Sequence, residues 1–383
     1  MLYFDHCAST PPREEVITAM SEVMRKHYAN PSSLHAGGSE AAKLIERSRA
    51  LLAAQLGTSG GRWLFTSGGT EANNLALKGA ARMYRSRGNH IVASGIEHAS
   101  VHDALKQLEQ DGYRVTFLPV AQSGHVSPED VKKALTKETI LVTVMHVNNE
   151  IGTVQPVREI GELLKSFPQI LFHVDAVQSI GKVPLDPEGW GIDLVSASAH
   201  KLRGPKGVGW LYVRDGVQLQ PLASGGSQEG GFRAGTENVP AIVASAKALR
   251  MAMESMEERA VRMRRFSDKL RAFVRSCPEL KLNGEEPLAP HIVHFSYPGM
   301  KPEVIVHMLE QHGIMASTKS ACSSKDDKPS RVLLALGASA AHASGGVRVS
   351  FGDEHEDEHI DQLISALRSV IGKLKPLERS RKH

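Results

Sequence analysis

Apolar residues recur along this chain in two alternating rhythms. Short apolar runs at 62–66, 90–94, 113–118, 140–146 and 170–174 read as strands. Between them, over 70–84, 98–110, 128–135 and 157–167, apolar positions return every three or four residues, the spacing of one helix face. This alternation predicts an α/β fold, a mostly parallel sheet covered by helices on both faces. Such sheets bind ligands at the carboxyl ends of their strands. Asn149, Asp175, Lys201 and the turn Ser67-Gly68-Gly69-Thr70 all fall at expected strand ends, so they are expected to converge.

The rhythm changes after residue 240. A long charged helical stretch is expected over 241–274, bridging to a smaller domain made by the C-terminal third. The last helix, 356–374, carries Ile360, Leu363, Ile364, Leu367 and Ile371 on one face and is acidic at its start and basic at its end, as the helix dipole prefers. The expected division is a large domain over 16–250 and a small one from 1–15 and 251–383.

Composition narrows the class. With 383 residues the chain can bury a sizeable core; charged residues make up 23% and the formal net charge is +4. That balance gives no reason to expect direct nucleic-acid binding, and the short basic tail LKPLERSRKH is weak evidence for it. The longest apolar run, 139–147, is strand-sized, so no membrane span is expected. No signal peptide is visible, and three scattered cysteines suit neither a disulfide framework nor a zinc cluster. A cytoplasmic enzyme with reduced thiols is the expectation.

The stretch from His173 to Lys201 carries the most chemistry. Asp175 ends one apolar run, with Gln178 three residues on, and Ser198, His200 and Lys201 end the next. A lysine at an apolar strand end is an amine in a partly desolvated place, where its pKa falls and it becomes nucleophilic. A neighbouring carboxylate can keep a pyridine nitrogen protonated. The pair suits a Schiff-base lysine and its pyridinium partner in pyridoxal phosphate (PLP) chemistry; taken alone, it suits a structural ion pair equally well. Thr66-Ser-Gly-Gly-Thr70 joins a strand to a helix, where backbone N–H groups bind anions, although a plain helix cap uses the same residues. His355-Glu-Asp-Glu-His359 matches the H-E-x-x-H pattern of zinc peptidases, but it is better read as the solvated acidic start of a surface helix, and no metal site is expected.

A run of motifs then resembles the cysteine desulfurases of the class V aminotransferase group along nearly the whole chain. These are FDHCAST (4–10), ANPSSLH (29–35), FTSGGTEANNLALKG (65–79), EHASV (97–101), MHVNNEIGTVQP (145–156), HVDAVQSIGK (173–182), SASAHKLRGPKGVG (196–209), RAGTENV (233–239), SACSS (320–324) and VRVSFG (347–352). The resemblance implies a type I PLP-dependent transferase fold, with a mostly parallel seven-stranded sheet in the large domain and a smaller α+β domain. It implies that Lys201 binds PLP covalently, Asp175 pairs with the ring nitrogen, Gln178 bonds the phenolate oxygen and His98 stacks on the ring. Gly69, Thr70, Ser198 and His200 would hold the phosphate, joined by Thr236 of a second subunit in a homodimer. Asn149 and Arg348 would grip the carboxylate of L-cysteine, Arg348 being suited to bidentate contact.

By the same resemblance Cys322 takes the substrate sulfur as a persulfide, for delivery to an acceptor protein. Lys319, Lys325 and Lys328 favour its thiolate, while Asp326 and Asp327 oppose it. Cys7 and Cys277 read as structural. Thr318 and Lys319 depart from the family pattern, since many members have glycine where Lys319 stands. The segment SACSSKDDKPSRVL is more similar to desulfurases serving a dedicated acceptor, as in tRNA thiolation, than to the iron–sulfur housekeeping type. The rivals are a selenocysteine lyase or another class V enzyme, and a non-catalytic sulfur-relay scaffold. The presence of both Lys201 and Cys322 argues against the last.

Overall fold

A computed structural model describes residues 1–318 and 328–381 of the chain. Seven strands form the main sheet: β1 (Arg62–Thr66), β2 (His90–Ser94), β3 (Arg114–Leu118), β4 (Thr139–Thr143), β5 (Leu171–Asp175), β6 (Leu194–Ser198) and β7 (Gly209–Val213), in spatial order β1-β7-β6-β5-β4-β2-β3. Strands β3 to β6 and β2 run parallel, and β7 lies antiparallel to both β1 and β6. The mostly parallel seven-stranded sheet thus stands as expected. Residues of β2, β4, β5, β6 and β7 are buried throughout, which is why these strands read as continuous apolar runs rather than alternating ones.

Two apolar cores cover the sheet. Helices Ala36–Gln55, Val157–Leu164 and Val239–Glu254 contribute to one, with Trp63, Phe172 and Trp210; helices Gly69–Met83 and Ala99–Gln110 contribute to the other, with Leu64, Leu141 and Leu211. A separate core joins Phe4 to Phe266, Phe273, Phe295, Val347, Phe351 and the last helix, Asp357–Arg381. It packs on a small antiparallel sheet in which strand Ile292–Ser296 pairs with Gly346–Ser350 and Lys281–Leu282.

Two expectations need correction. The helical stretch over 241–274 is two helices, Val239–Glu254 and Met256–Ser276, broken at Ser255. The Ser255 hydroxyl donates to the Met251 carbonyl at 3.1 Å, the local competition by which serine disturbs a helix. Nor is the HEDEH segment simply a solvated start. His355 is 1% exposed and stacks on Phe4 with ring centroids 4.2 Å apart. His6, Glu354 and His355 have potential ligand atoms within 4.8 Å of one another. However, the Gly352 N–H donates to His355 Nδ1 at 2.8 Å, which puts the ring proton on Nε2 and leaves that atom no lone pair for a metal.

Candidate active site

The strand ends meet in one cleft. Its lining includes Gly69, Thr70, His98, Asn149, Asp175, Gln178, Ser198, His200, Lys201 and Arg348. Ten of the expected residues are therefore brought together, from positions spread across most of the chain. Thr236 is not among them: it is exposed and lines a different hollow with Ser67, Gly207 and Glu237. Cys322 lies outside the described residues.

Adjacent strands set the central pair. Asp175 ends β5 opposite Ser196 of β6, and Ser198 and Lys201 follow at the end of β6. Asp175 is 4% exposed. Its Oδ1 accepts from the Val177 N–H at 3.0 Å and its Oδ2 from Asn73 Nδ2 at 2.8 Å. Among the described residues no lysine or arginine is ion-paired with it. A buried carboxylate with only neutral donors favours a cationic partner supplied by a ligand, and that makes the structural ion pair with Lys201 the poorer reading. Lys201 Nζ instead donates to the carbonyls of Cys7 at 2.5 Å and Ala8 at 2.7 Å.

Asn73 also reaches the other side of the cleft. Its Nδ2 donates to Ser100 Oγ at 2.9 Å, and Ser100 Oγ lies 2.8 Å from His98 Nδ1. His98 caps helix Ala99–Gln110, accepting from the Ser100 N–H at 3.2 Å. Burial holds its imidazole below the ordinary range, so it stays neutral. His200 is pushed down to about 3 by burial and by the ammonium groups of Lys201 and Lys206.

An anion cradle opens at the start of helix Gly69–Met83. A Cβ on Gly69 would come within 2.8 Å of Val177 Cγ2, so only glycine lets this helix start approach the cleft floor. The free N–H groups of a first turn point outward there, beside the Thr70 hydroxyl. Across the cleft Arg348 is 1% exposed. Its Nη1 donates to the Asn149 carbonyl at 2.8 Å and its Nη2 to Asp5 Oδ1 at 2.9 Å, while among the described residues its buried Nε finds no hydrogen-bond partner. Glu97, next to His98, has a carboxyl pushed up to about 8 by burial; its Oε1 accepts from Ser94 Oγ at 2.5 Å and the Met145 N–H at 2.7 Å.

Sequence reasoning missed Asn73, Asp5 and the cleft-facing role of Cys7. Cys7 lines the cleft, and its carbonyl accepts from both Lys201 and Gln178; reading it as merely structural understated it. The motif strings that contain these residues were the only available signal.

A buried aspartate that accepts only from neutral donors among the described residues, an anion cradle and a strand-end lysine fit PLP, with Asp175 for the ring nitrogen and the Gly69 helix start for the phosphate. Fold and cleft together define a PLP-dependent α/β enzyme of fold type I. Comparison with known proteins narrows this: residues 2–363 match aminotransferase class-V, and the chain belongs to that family. It is 42% identical to the cysteine desulfurase IscS of Clostridium botulinum strain Hall, over 97% of this chain and 94% of that one. A solved NifS-like protein superposes with a TM-score of 0.91 at 35% identity, covering 97% of this chain and 100% of that one. A structure titled SspA in complex with cysteine matches with a TM-score of 0.81 at 34% identity, covering 92% of this chain and 99% of that one.

Proposed function

We propose that this chain is a PLP-dependent cysteine desulfurase, converting L-cysteine to L-alanine and passing the sulfur to an acceptor. The observation that carries the reading is Asp175, buried on the strand beside Lys201 and held by the neutral donors Val177 N–H and Asn73 Nδ2. Near-full-length similarity to proteins named cysteine desulfurase supports the substrate.

In this reading Lys201 holds the cofactor, Asp175 keeps the ring nitrogen charged, and Gln178 and neutral His98 fix the ring. Gly69, Thr70, Ser198 and His200 hold its phosphate. Bound PLP supplies an electron sink for the pair left when a Cα–H bond breaks. Arg348 and Asn149 orient the substrate by its carboxylate, and Lys201 Nζ takes the α-proton and returns it. The Cys322 thiolate attacks the substrate sulfur: an S–S bond forms, the C–S bond breaks with its electron pair going to Cβ, Cβ takes up the proton that the substrate thiol gives up, and alanine leaves.

Two copies of the chain complete the site, with Thr236 of each reaching the other's phosphate. Its position away from its own chain's cleft supports this. Separate apolar cores support a large domain over 16–250 and a small one from 1–15 and 251–383. Among the described residues no helix is long and apolar enough to cross a membrane, and the enzyme works in the cytoplasm, delivering sulfur to tRNA thiolation or to iron–sulfur and thio-cofactor synthesis.

The test is a visible spectrum of the purified chain, followed by L-cysteine under reducing conditions. Equimolar alanine and sulfide from a yellow protein support the desulfurase. A yellow protein that leaves cysteine intact overturns the substrate, and one that stays colourless after PLP is added overturns the enzyme reading.

A further inference from the structure

Lys182 is a half-buried lysine to which the chemistry above gives no task. It sits just beyond the Asp175 strand, and its Nζ donates to Gln178 Oε1 at 3.2 Å. Among the described residues no carboxylate is ion-paired with it. Burial pushes its ammonium down to about 8. A desolvated ammonium spent on one neutral amide oxygen is a costly arrangement.

The bond has a directional consequence. A lysine can only donate, so the atom it meets must be the amide oxygen of Gln178. The opposite end agrees: Gln178 Nε2 donates to the Cys7 carbonyl at 3.0 Å, and a carbonyl can only accept. Both contacts fix the same amide orientation. They leave the second Nε2 hydrogen for the cleft, which Gln178 lines. A positive charge on Oε1 also polarises the amide and strengthens its N–H as a donor.

We infer that Lys182 is a positioning residue that locks and polarises the Gln178 amide, so that Gln178 donates to an anionic oxygen of the bound cofactor. The inference rests on the reading of the cleft as a PLP site. The charged and titratable groups around Lys182 are Cys7 from the N-terminal segment, His200 and Lys201 beyond β6, Arg259 of helix Met256–Ser276, His291 before the small sheet, and Asp353 after it.

The test is PLP binding to the resolved apoprotein, with a pH titration of the visible absorbance of the loaded protein. Lys182→Met is expected to weaken PLP affinity about fivefold, the worth of one polarised hydrogen bond. It should also move the absorbance midpoint to higher pH, because the ring oxygen loses donor strength and a nearby positive charge. Lys182→Arg, which keeps donor and charge, should restore most of both. In the double variant with Gln178→Ala, Lys182→Met should add almost nothing to the loss from Gln178→Ala alone. Additive losses, or a Lys182→Met protein with wild-type affinity and midpoint, overturn the inference while the cofactor reading stands. A wild-type chain that takes up no PLP overturns both.

Discussion

Arg348 and Asp5, 343 positions apart, form a salt bridge of 2.9 Å that orients the cleft's arginine. With Nη1 on the Asn149 carbonyl and Nη2 on Asp5, the guanidinium plane is fixed before any substrate arrives. Asp5→Asn keeps the shape but removes the charge from a partner whose guanidinium is fully buried. Breaking such a pair costs roughly 3 kcal/mol, so the melting temperature should fall. On the proposed role of Arg348 in gripping the substrate carboxylate, KM for L-cysteine should rise about tenfold with kcat nearly unchanged, the pattern of a lost binding interaction. Steady-state kinetics and a thermal melt check this; an unchanged KM would refute it.

Among the described residues Asn73 is the one side-chain donor to Asp175, and Asn73→Ala removes it. Hydrogen bonds to charged groups contribute roughly 2 kcal/mol, so kcat should fall about tenfold or more. Asn73→Asp, which sets a second carboxylate against Asp175, should be worse. Alanine production by the two variants, measured at saturating PLP, orders them.

Glu97 gives a pH signature. Its folded pKa is raised from 4.5 to about 8, so between those values the native state holds a proton that the unfolded chain has released. The contribution to stability is complete below about pH 4.5 and is lost as pH rises towards 8. Glu97→Gln keeps the shape and the neutral charge, and should flatten the fall in melting temperature between pH 5 and pH 8. Parallel slopes for wild type and variant would count against a protonated Glu97.

Lys201 and Cys322 should separate cleanly. Lys201→Ala is expected to lose the covalent cofactor's visible band and to lower alanine formation about a thousandfold. Cys322→Ser should keep the band and stop sulfide release. Spectra and sulfide assays on the two variants decide; full desulfuration by Cys322→Ser would reject its assignment.

The periodic core was legible in the sequence because burial imprints a rhythm on it. Strands and helices of the main sheet fall within a few residues of their expected bounds, and strand-end residues such as Asp175 and Lys201 could be placed from that rhythm alone. Partnerships set by tertiary contact left no such trace. Nothing local links Asp5 to Arg348, or Asn73 to Asp175, and Ser255 breaks a helix whose pattern otherwise runs on. His355 looked solvated because its cover, Phe4, comes from the other end of the chain. Thr236 could be assigned to a phosphate only through resemblance, and a single chain does not bring it there.

The threading of residues 2–8 bears on how the enzyme is made. Leu2–Tyr3 pairs with Ile314–Met315, the Phe4 carbonyl accepts from Ser350, and Asp5 meets Arg348, while Cys7 and Ala8 hold Lys201. Contacts between such distant segments form slowly, because a long loop must close before they contribute. On the ribosome, Asp5 meets its partner 343 positions later, whereas Cys7 meets Lys201 after 194. The main sheet can fold in the meantime, but the segment that supports its lysine is anchored only once Ile314–Met315 and Gly346–Ser350 have been made. Activity should therefore appear late in folding, after most of the secondary structure is in place.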